Sequence, residues 1–264
     1  MLPLIRFNIL SESNNVYNYI TTRNGGVSQD EYSSFNLSIN SGDNLQKVYS
    51  NRELLAHYLG ISNGHLIFAN QIHGDRTFII DDQFIESDNI TREKCLAGVD
   101  ALITNIPGIA INVLTADCVP ILLYCPTKHV IAAIHAGWRG VVTMIVQKTI
   151  NRMIDLFECD PSTMIAGVGP SISVDNFEVG DEVAAQFENV GFDVSKISYL
   201  NTKSRKRHFY LQNANKQLLI ESGLSEKNIE IIDTCTFTNN DIFFSARRQG
   251  ILSGRQAAGI ILNS

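Results

Sequence analysis

Apolar and polar positions alternate from Val16 to Ile20, and Asn24-Gly25-Gly26 follows, so the pattern predicts a strand and then a turn or hairpin. The period then changes. Between residues 44 and 59, Leu45, Val48, Leu54, Leu55, Tyr58 and Leu59 fall near one stripe at helical spacing, and Gly60 supplies a stop signal. Residues 66 to 69 and 77 to 80 read as strands flanking Gln71-Ile72-His73-Gly74-Asp75, and residues 99 to 104 as another. Residues 109 to 113 and 119 to 124 are rich in branched apolar side chains and read as strand. Pro126-Thr127-Lys128 is turn material, and residues 130 to 134 form a further strand-length run. After Gly137-Trp138-Arg139-Gly140, the residues Val142, Ile145, Val146, Thr149, Met153, Ile154 and Phe157 recur at three- and four-residue steps, an amphipathic helix over 141 to 157. Residues 211 to 222 read as a helix capped by Gly223, and residues 229 to 232 and 242 to 244 as strands. There is no linker and no internal repeat. Strands and helices mix without a clean βαβ period, which predicts an α+β fold of mixed β-sheets layered with flanking helices, in a single domain over residues 1 to 264.

Composition narrows the classes. Of 264 residues, 44% are hydrophobic and 18% charged, so a sizeable core can be buried. The formal net charge of -6 argues against nucleic acid as a partner, which calls for a basic excess. The basic run Lys203-Ser204-Arg205-Lys206-Arg207-His208 is local and reads as an exposed loop. Arg6 and Asn8 interrupt the apolar N-terminal stretch before it reaches targeting-signal length, and no run is long and apolar enough to span a membrane. The cysteines at 95, 118, 125, 159 and 235 are odd in number and form no CxxC pair, so free thiols in a reducing, cytoplasmic setting are expected.

Candidate chemistry comes from the hairpin. If the runs around Pro126-Thr127-Lys128 pair about Thr127, residues whose numbers sum to about 254 lie opposite each other. Cys118 then comes within one residue of facing His135. Such a pair suits two ligands of one zinc ion. Cys125 is an odd number of residues from Cys118 and faces the other side of a regular strand. Asp117 should also face away from Cys118, unless the strand ends there. His57, His65 and His129 read as surface residues. Spacing alone does not bring His73 to the other two.

Several stretches resemble the YfiH family, also called the laccase-domain or multicopper polyphenol oxidase family, whose members are described as purine nucleoside phosphorylases. They include Thr22-Arg23-Asn24-Gly25-Gly26-Val27-Ser28, Asn36-Leu37-Ser38, Gly42-Asp43 with Asn51-Arg52, and Gln71-Ile72-His73-Gly74. The central block contributes Gly98-Val99-Asp100-Ala101-Leu102-Ile103-Thr104, Thr115-Ala116-Asp117-Cys118-Val119-Pro120 and His135-Ala136-Gly137-Trp138-Arg139-Gly140. Gly169-Pro170-Ser171-Ile172, Phe177-Glu178-Val179-Gly180 and Phe243-Phe244-Ser245-Ala246-Arg247-Arg248 complete the set in the expected order. Two stretches depart from the pattern: Ser173-Val174-Asp175-Asn176-Phe177 stands where relatives carry Cys-Cys-Tyr, and Phe209-Tyr210-Leu211 where they carry Leu-Asp-Leu.

The resemblance implies a zinc site at His73, Cys118 and His135. It implies phosphorolysis of adenosine, inosine and guanosine to base and ribose 1-phosphate, together with methylthioadenosine phosphorolysis and adenosine deamination. Three protein ligands leave zinc a position for water or substrate, the catalytic pattern. Beside the ligands, Asp117 is a candidate proton carrier or orienting group. Arg23, Arg247 and Arg248 are candidate phosphate contacts, with Asn36 in the same substrate-binding set. The expected partners are therefore small molecules, nucleoside and phosphate; the sequence leaves the oligomeric state open. Three other classes fit the same residues. One is a metal-free cysteine hydrolase editing peptidoglycan precursors, with Cys118 as nucleophile and His135 as base. Another is a copper-dependent polyphenol oxidase, disfavoured because one His-Cys-His set is too few ligands for a multicopper cluster. The last is a binding module whose zinc is structural.

Overall fold

Alternate residues of the central hairpin serve two different cores, and this organises the layers. In the computed structural model, which describes residues 2–263, strands Val119–Cys125 and Val130–Ala136 are buried along their whole length. Ile121, Leu123, Cys125, Val130, Ala132 and Ile134 enter one cluster, whereas Leu122, Tyr124, Ile131 and Ala133 enter another. The two-residue period of a strand buried on both faces requires this.

The hairpin lies in a six-stranded sheet ordered Ile229–Ile231, Ile165–Val168, Val119–Cys125, Val130–Ala136, Ala101–Thr104, Thr77–Ile79. A five-stranded sheet, ordered Leu4–Ile5, Val16–Thr21, Gln256–Leu262, Ala110–Thr115, Leu66–Phe68, packs on one of its faces. Ile20, Val113, Ala258 and Ile260 from that sheet share the inter-sheet core with Leu122, Tyr124, Ile131 and Ala133. Both sheets mix directions: Leu66–Phe68, Thr77–Ile79 and Ile229–Ile231 each run parallel to a neighbour, while the hairpin is antiparallel. On the far face of the six-stranded sheet lie helices Ile145–Phe157 and Leu211–Glu221. Helix Leu45–Leu59 covers the five-stranded sheet through Leu55 and Ala56. A small three-stranded sheet, Glu178–Val179, Arg207–Phe209 and Ser198–Leu200, adds to the helix side. The architecture is thus the mixed layering of sheets and flanking helices that the sequence predicts.

Local departures have local causes. Helix Leu45–Leu59 is capped as expected: Asn44 accepts from the amides of Gln46 and Lys47, and Gly60 takes φ +69°. Its buried face, however, is Val48, Asn51, Leu55 and Ala56, while Leu45, Leu54 and Tyr58 are exposed. Asn51 explains the rotation, because its amide donates to Ser34 O and Asn36 O and its Oδ1 accepts from Val27 N, tying the helix to the preceding loop. The helix expected over 141 to 157 is two pieces, Trp138–Val142 and Ile145–Phe157, broken where Met144 takes φ +60°. Residues 242 to 244 are not a strand. They close a run of turns, with Phe243 and Phe244 fully buried as anchors. Among the described residues, no helix is long and apolar enough to cross a membrane.

Candidate metal centre

Strand pairing builds the first half of the site. Cys125 pairs with Val130, so partner numbers sum to 255, and Pro126, Thr127, Lys128 and His129 make the turn. His135 therefore faces Pro120, and Cys118, one residue before the strand, is its diagonal neighbour on the same pleat face. Both lie on the inter-sheet side, at one end of the sandwich.

The second half is brought in by a carboxylate the sequence reading assigned no role. Asp100, fully buried, accepts from the backbone amides of Ile72 (3.2 Å), His73 (3.0 Å) and Gly74 (2.8 Å). It also accepts from His135 Nδ1 at 2.8 Å, while its carbonyl accepts from His135 N. One side chain thus holds both histidines. His73 sits at φ +63°, a left-handed conformation uncommon for histidine, and the three amide bonds around it hold it there. Because Nδ1 of His135 is committed to Asp100, its Nε2 is the atom left for the cluster.

His73, Cys118 and His135 offer ligand atoms that all lie within 4.8 Å of one another, and the two imidazoles meet edge-on, centroids 4.8 Å apart. Among the described residues this is the one such group of donors. His73 is exposed, Cys118 half-buried and His135 buried, so the cluster opens on one side. It opens into a 260 Å³ cavity whose wall includes Gln71, Thr115 and Arg255. Gly137 closes the back: a Cβ there would come 2.9 Å from Cys118 Sγ and 3.3 Å from His73 Cδ2.

The electrostatics agree with a ligand set. Burial alone pushes the Cys118 thiol up, but the charge and hydrogen bond of His135, with those of His73, bring it down to about 6. Burial likewise pushes His135 down, and the Cys118 thiolate with the Asp100 carboxylate raise it to about 9. A thiolate and two imidazoles with one side open match the three-ligand arrangement of a catalytic metal site, and the donor types fit Zn2+.

The other candidate residues lie elsewhere. Asp117 stands where the chain bends at φ +93°, and its carboxylate accepts from Thr236 Oγ1 (2.7 Å) and Arg247 N (2.6 Å). Asn36 is fully buried; its Oδ1 accepts from Ser38 N and from Arg255 N at 2.9 Å. Arg23 donates to Ser33 O and Asn240 O and lies over the Phe244 ring. Arg247 donates to Asn176 O and Glu178 O, and Arg248 to Phe237 O. None of these five lines the cavity; the arginine that does is Arg255, which sequence reasoning passed over. Its single available signal was the charge itself, lodged among small apolar residues ahead of Gln256–Leu262.

Fold and site together define a mixed α+β protein with a His-Cys-His cluster able to hold a metal ion at one end of a two-sheet sandwich. The chain belongs to the family described as multi-copper polyphenol oxidoreductase laccase, whose model matches residues 17–263. It is 40% identical over 260 residues to a purine nucleoside phosphorylase of Bacteroides thetaiotaomicron, covering 98% of this chain and 96% of that one. It is 37% identical over 264 residues to adenosine deaminase RL5 from an unknown prokaryotic organism, covering 98% and 99%. The crystal structure of Bacillus licheniformis hypothetical protein YfiH superposes with a TM-score of 0.89 at 29% identity, over 95% of this chain and 94% of that one.

Proposed function

We propose that the protein is a cytoplasmic, zinc-dependent purine nucleoside phosphorylase. It cleaves adenosine, inosine and guanosine with phosphate to base and ribose 1-phosphate, with methylthioadenosine phosphorolysis and adenosine deamination as side activities. The observation that carries this reading is a three-donor cluster open to a cavity, in a chain similar over almost its full length to relatives bearing both names. His73, Cys118 and His135 would hold the ion. When bound, Zn2+ supplies a Lewis-acid charge that polarises oxygen ligands in the cavity. The chain's own part is positioning. Asp100 fixes the tautomer of His135 and the backbone around His73, so the donors need little rearrangement on binding. The low pKa of Cys118 keeps its sulfur anionic at neutral pH. Of the two roles expected of Asp117, its bonds to Thr236 and Arg247 N favour orientation of the chain over proton transfer.

Metal analysis of purified protein, paired with an adenosine-plus-phosphate assay, tests the reading on wild type and Cys118→Ala. Near one equivalent of zinc, with ribose 1-phosphate formed only by wild type, supports it. Activity without bound zinc defeats it. One observation favours a second reading: without metal, Cys118 and His135 form a thiolate–imidazolium pair, the resting state of a cysteine nucleophile. A hydrolase of that kind keeps its activity in a chelator and loses it to a thiol alkylator.

A further inference from the structure

Two groups in the wall of the cavity, Arg255 and Thr115, stand outside the donor cluster. Arg255 donates through Nη1 alone, to Ser253 O, Ser253 Oγ and Gly254 O at 2.6 to 2.9 Å. Among the described residues, its Nε and Nη2 have no acceptor, and no carboxylate pairs with it. Thr115 is 2% exposed, lines the same cavity, and its Oγ1 has no hydrogen-bond partner. In the antiparallel register Thr115 stands opposite Gln256, the residue after Arg255, so the two come from neighbouring points of the sheet end. The backbone that carries Arg255 is held on both sides: its N donates to Asn36 Oδ1, and its O accepts from Leu37 N.

A buried hydroxyl without a partner carries a desolvation penalty, and so does a half-buried guanidinium that no carboxylate touches and whose burial outweighs the more distant charges of Cys118 and Asp117. An anion with several oxygens removes both penalties at once, and a planar guanidinium fork matches its geometry. We propose that Arg255 and Thr115 form the phosphate subsite beside the metal cluster, with Asn36 as the residue that positions Arg255. The assignment of phosphate as co-substrate rests on the phosphorolysis reading; the anion site itself does not. In the reaction, one oxygen of HPO4²⁻ bonds to the anomeric carbon of the nucleoside. The bond from that carbon to the purine nitrogen breaks with its electron pair going to the base, and the hydrogen lost by the phosphate ends on the base. Arg255 and Thr115 hold the remaining phosphate oxygens and turn the fourth toward the sugar. The subsite displaces Arg23, Arg247 and Arg248 from the phosphate role, since Arg255 lines the cavity and none of these three does.

The test uses zinc-loaded full-length protein as wild type, Arg255→Met, Arg255→Lys and Thr115→Val. Two quantities are read: the Michaelis constants for phosphate and for nucleoside, and the rise in melting temperature on adding inorganic phosphate. Arg255→Met should raise the phosphate constant about tenfold or more and abolish the phosphate-induced rise, with a smaller change in the nucleoside constant. Arg255→Lys should recover part of both, and Thr115→Val, a near-isosteric change, should raise the phosphate constant several-fold. Wild-type phosphate constants and melting shifts in both Arg255→Met and Thr115→Val would overturn the subsite. If wild type responds to phosphate through Arg255 yet forms no ribose 1-phosphate, the anion site stands and the phosphorylase reading falls.

Discussion

Cys118 immediately precedes a strand that Cys125 ends, seven positions on, and the molecule treats them as different chemical species. Cys118 lies on the inter-sheet side among two imidazoles. Cys125 lies on the helix side, fully buried in the core that also holds Cys159, with Thr127 Oγ1 at 3.4 Å from its sulfur. Cys118 is lowered, against burial, by groups that carry positive charge, and Cys125 chiefly by the Cys159 hydrogen bond. Two core sulfurs build no ligand set, because no imidazole or carboxylate joins them among the described residues. Strand parity decides the difference: an odd separation sends the two side chains to opposite faces, and only one face meets the loop that carries His73.

The comparison breaks most visibly at Cys118. Cys118→Ala should lower zinc occupancy at least a hundredfold and abolish turnover, with little change in fold, because the position is half-buried at the sandwich end. In metal-stripped wild type, alkylation by iodoacetamide should fall on Cys118 and not on buried Cys125. Its rate should rise with pH through a midpoint near 6, the pKa to which the imidazoles lower this thiol. Peptide mapping reads both. A midpoint in the ordinary thiol range, or equal labelling of Cys125, removes the distinction drawn here.

Asp100 comes next. Asp100→Asn keeps the volume but places an amide where three backbone N–H groups and His135 Nδ1 now donate. Zinc affinity should fall on the order of 10- to 100-fold. Stability should fall on the order of 3 kcal/mol, because a buried charge pair is broken. Calorimetric zinc titration and denaturant melts check both. An unchanged affinity would mean that His73 and His135 are placed by something other than this carboxylate. Gly137→Ala should act less strongly. The backbone there, at φ -74°, accepts alanine, yet the new Cβ would sit 2.9 Å from Cys118 Sγ. A severalfold loss of zinc affinity with nearly wild-type stability is the expected signature, since the sulfur must yield rather than the fold.

What was legible in the chain follows the range of the forces involved. The hairpin and its pairing of Cys118 with His135 were readable to within a residue or two, because strand period and turn residues act locally. The His73 contact depends on Asp100 joining segments that nothing in the local pattern links, so residues alone could not supply it. Strand Gln256–Leu262 was invisible for a similar reason. Its first half, Gln256-Ala257-Ala258-Gly259, carries little strand propensity, and position 259 is small because the Tyr19–Asn112 hydrogen bond crosses it, where a Cβ would come 2.2 Å from Asn112 Oδ1. Missing that strand also hid Arg255, which stands immediately before it. The phosphate candidates Arg23, Arg247 and Arg248 were chosen by charge and neighbouring motif, signals that do not say whether a side chain faces the cavity, and none of the three lines it.

The smallest effect sharpens the comparison from the other end. Cys125→Ala removes one sulfur from a fully buried position packed among Ile121, Leu123, Val130 and Cys159. The void is less than a methylene pair in size, so the loss should be about 1 kcal/mol. Because Cys125 faces the helix-side core, zinc occupancy and the phosphate response should match wild type, whereas Cys118→Ala leaves the core intact and empties the site. Reversed outcomes would have a single meaning. A core thiol that controlled zinc occupancy would show that the register puts the wrong sulfur on the inter-sheet face, and every assignment built on His135 opposite Pro120 would shift with it.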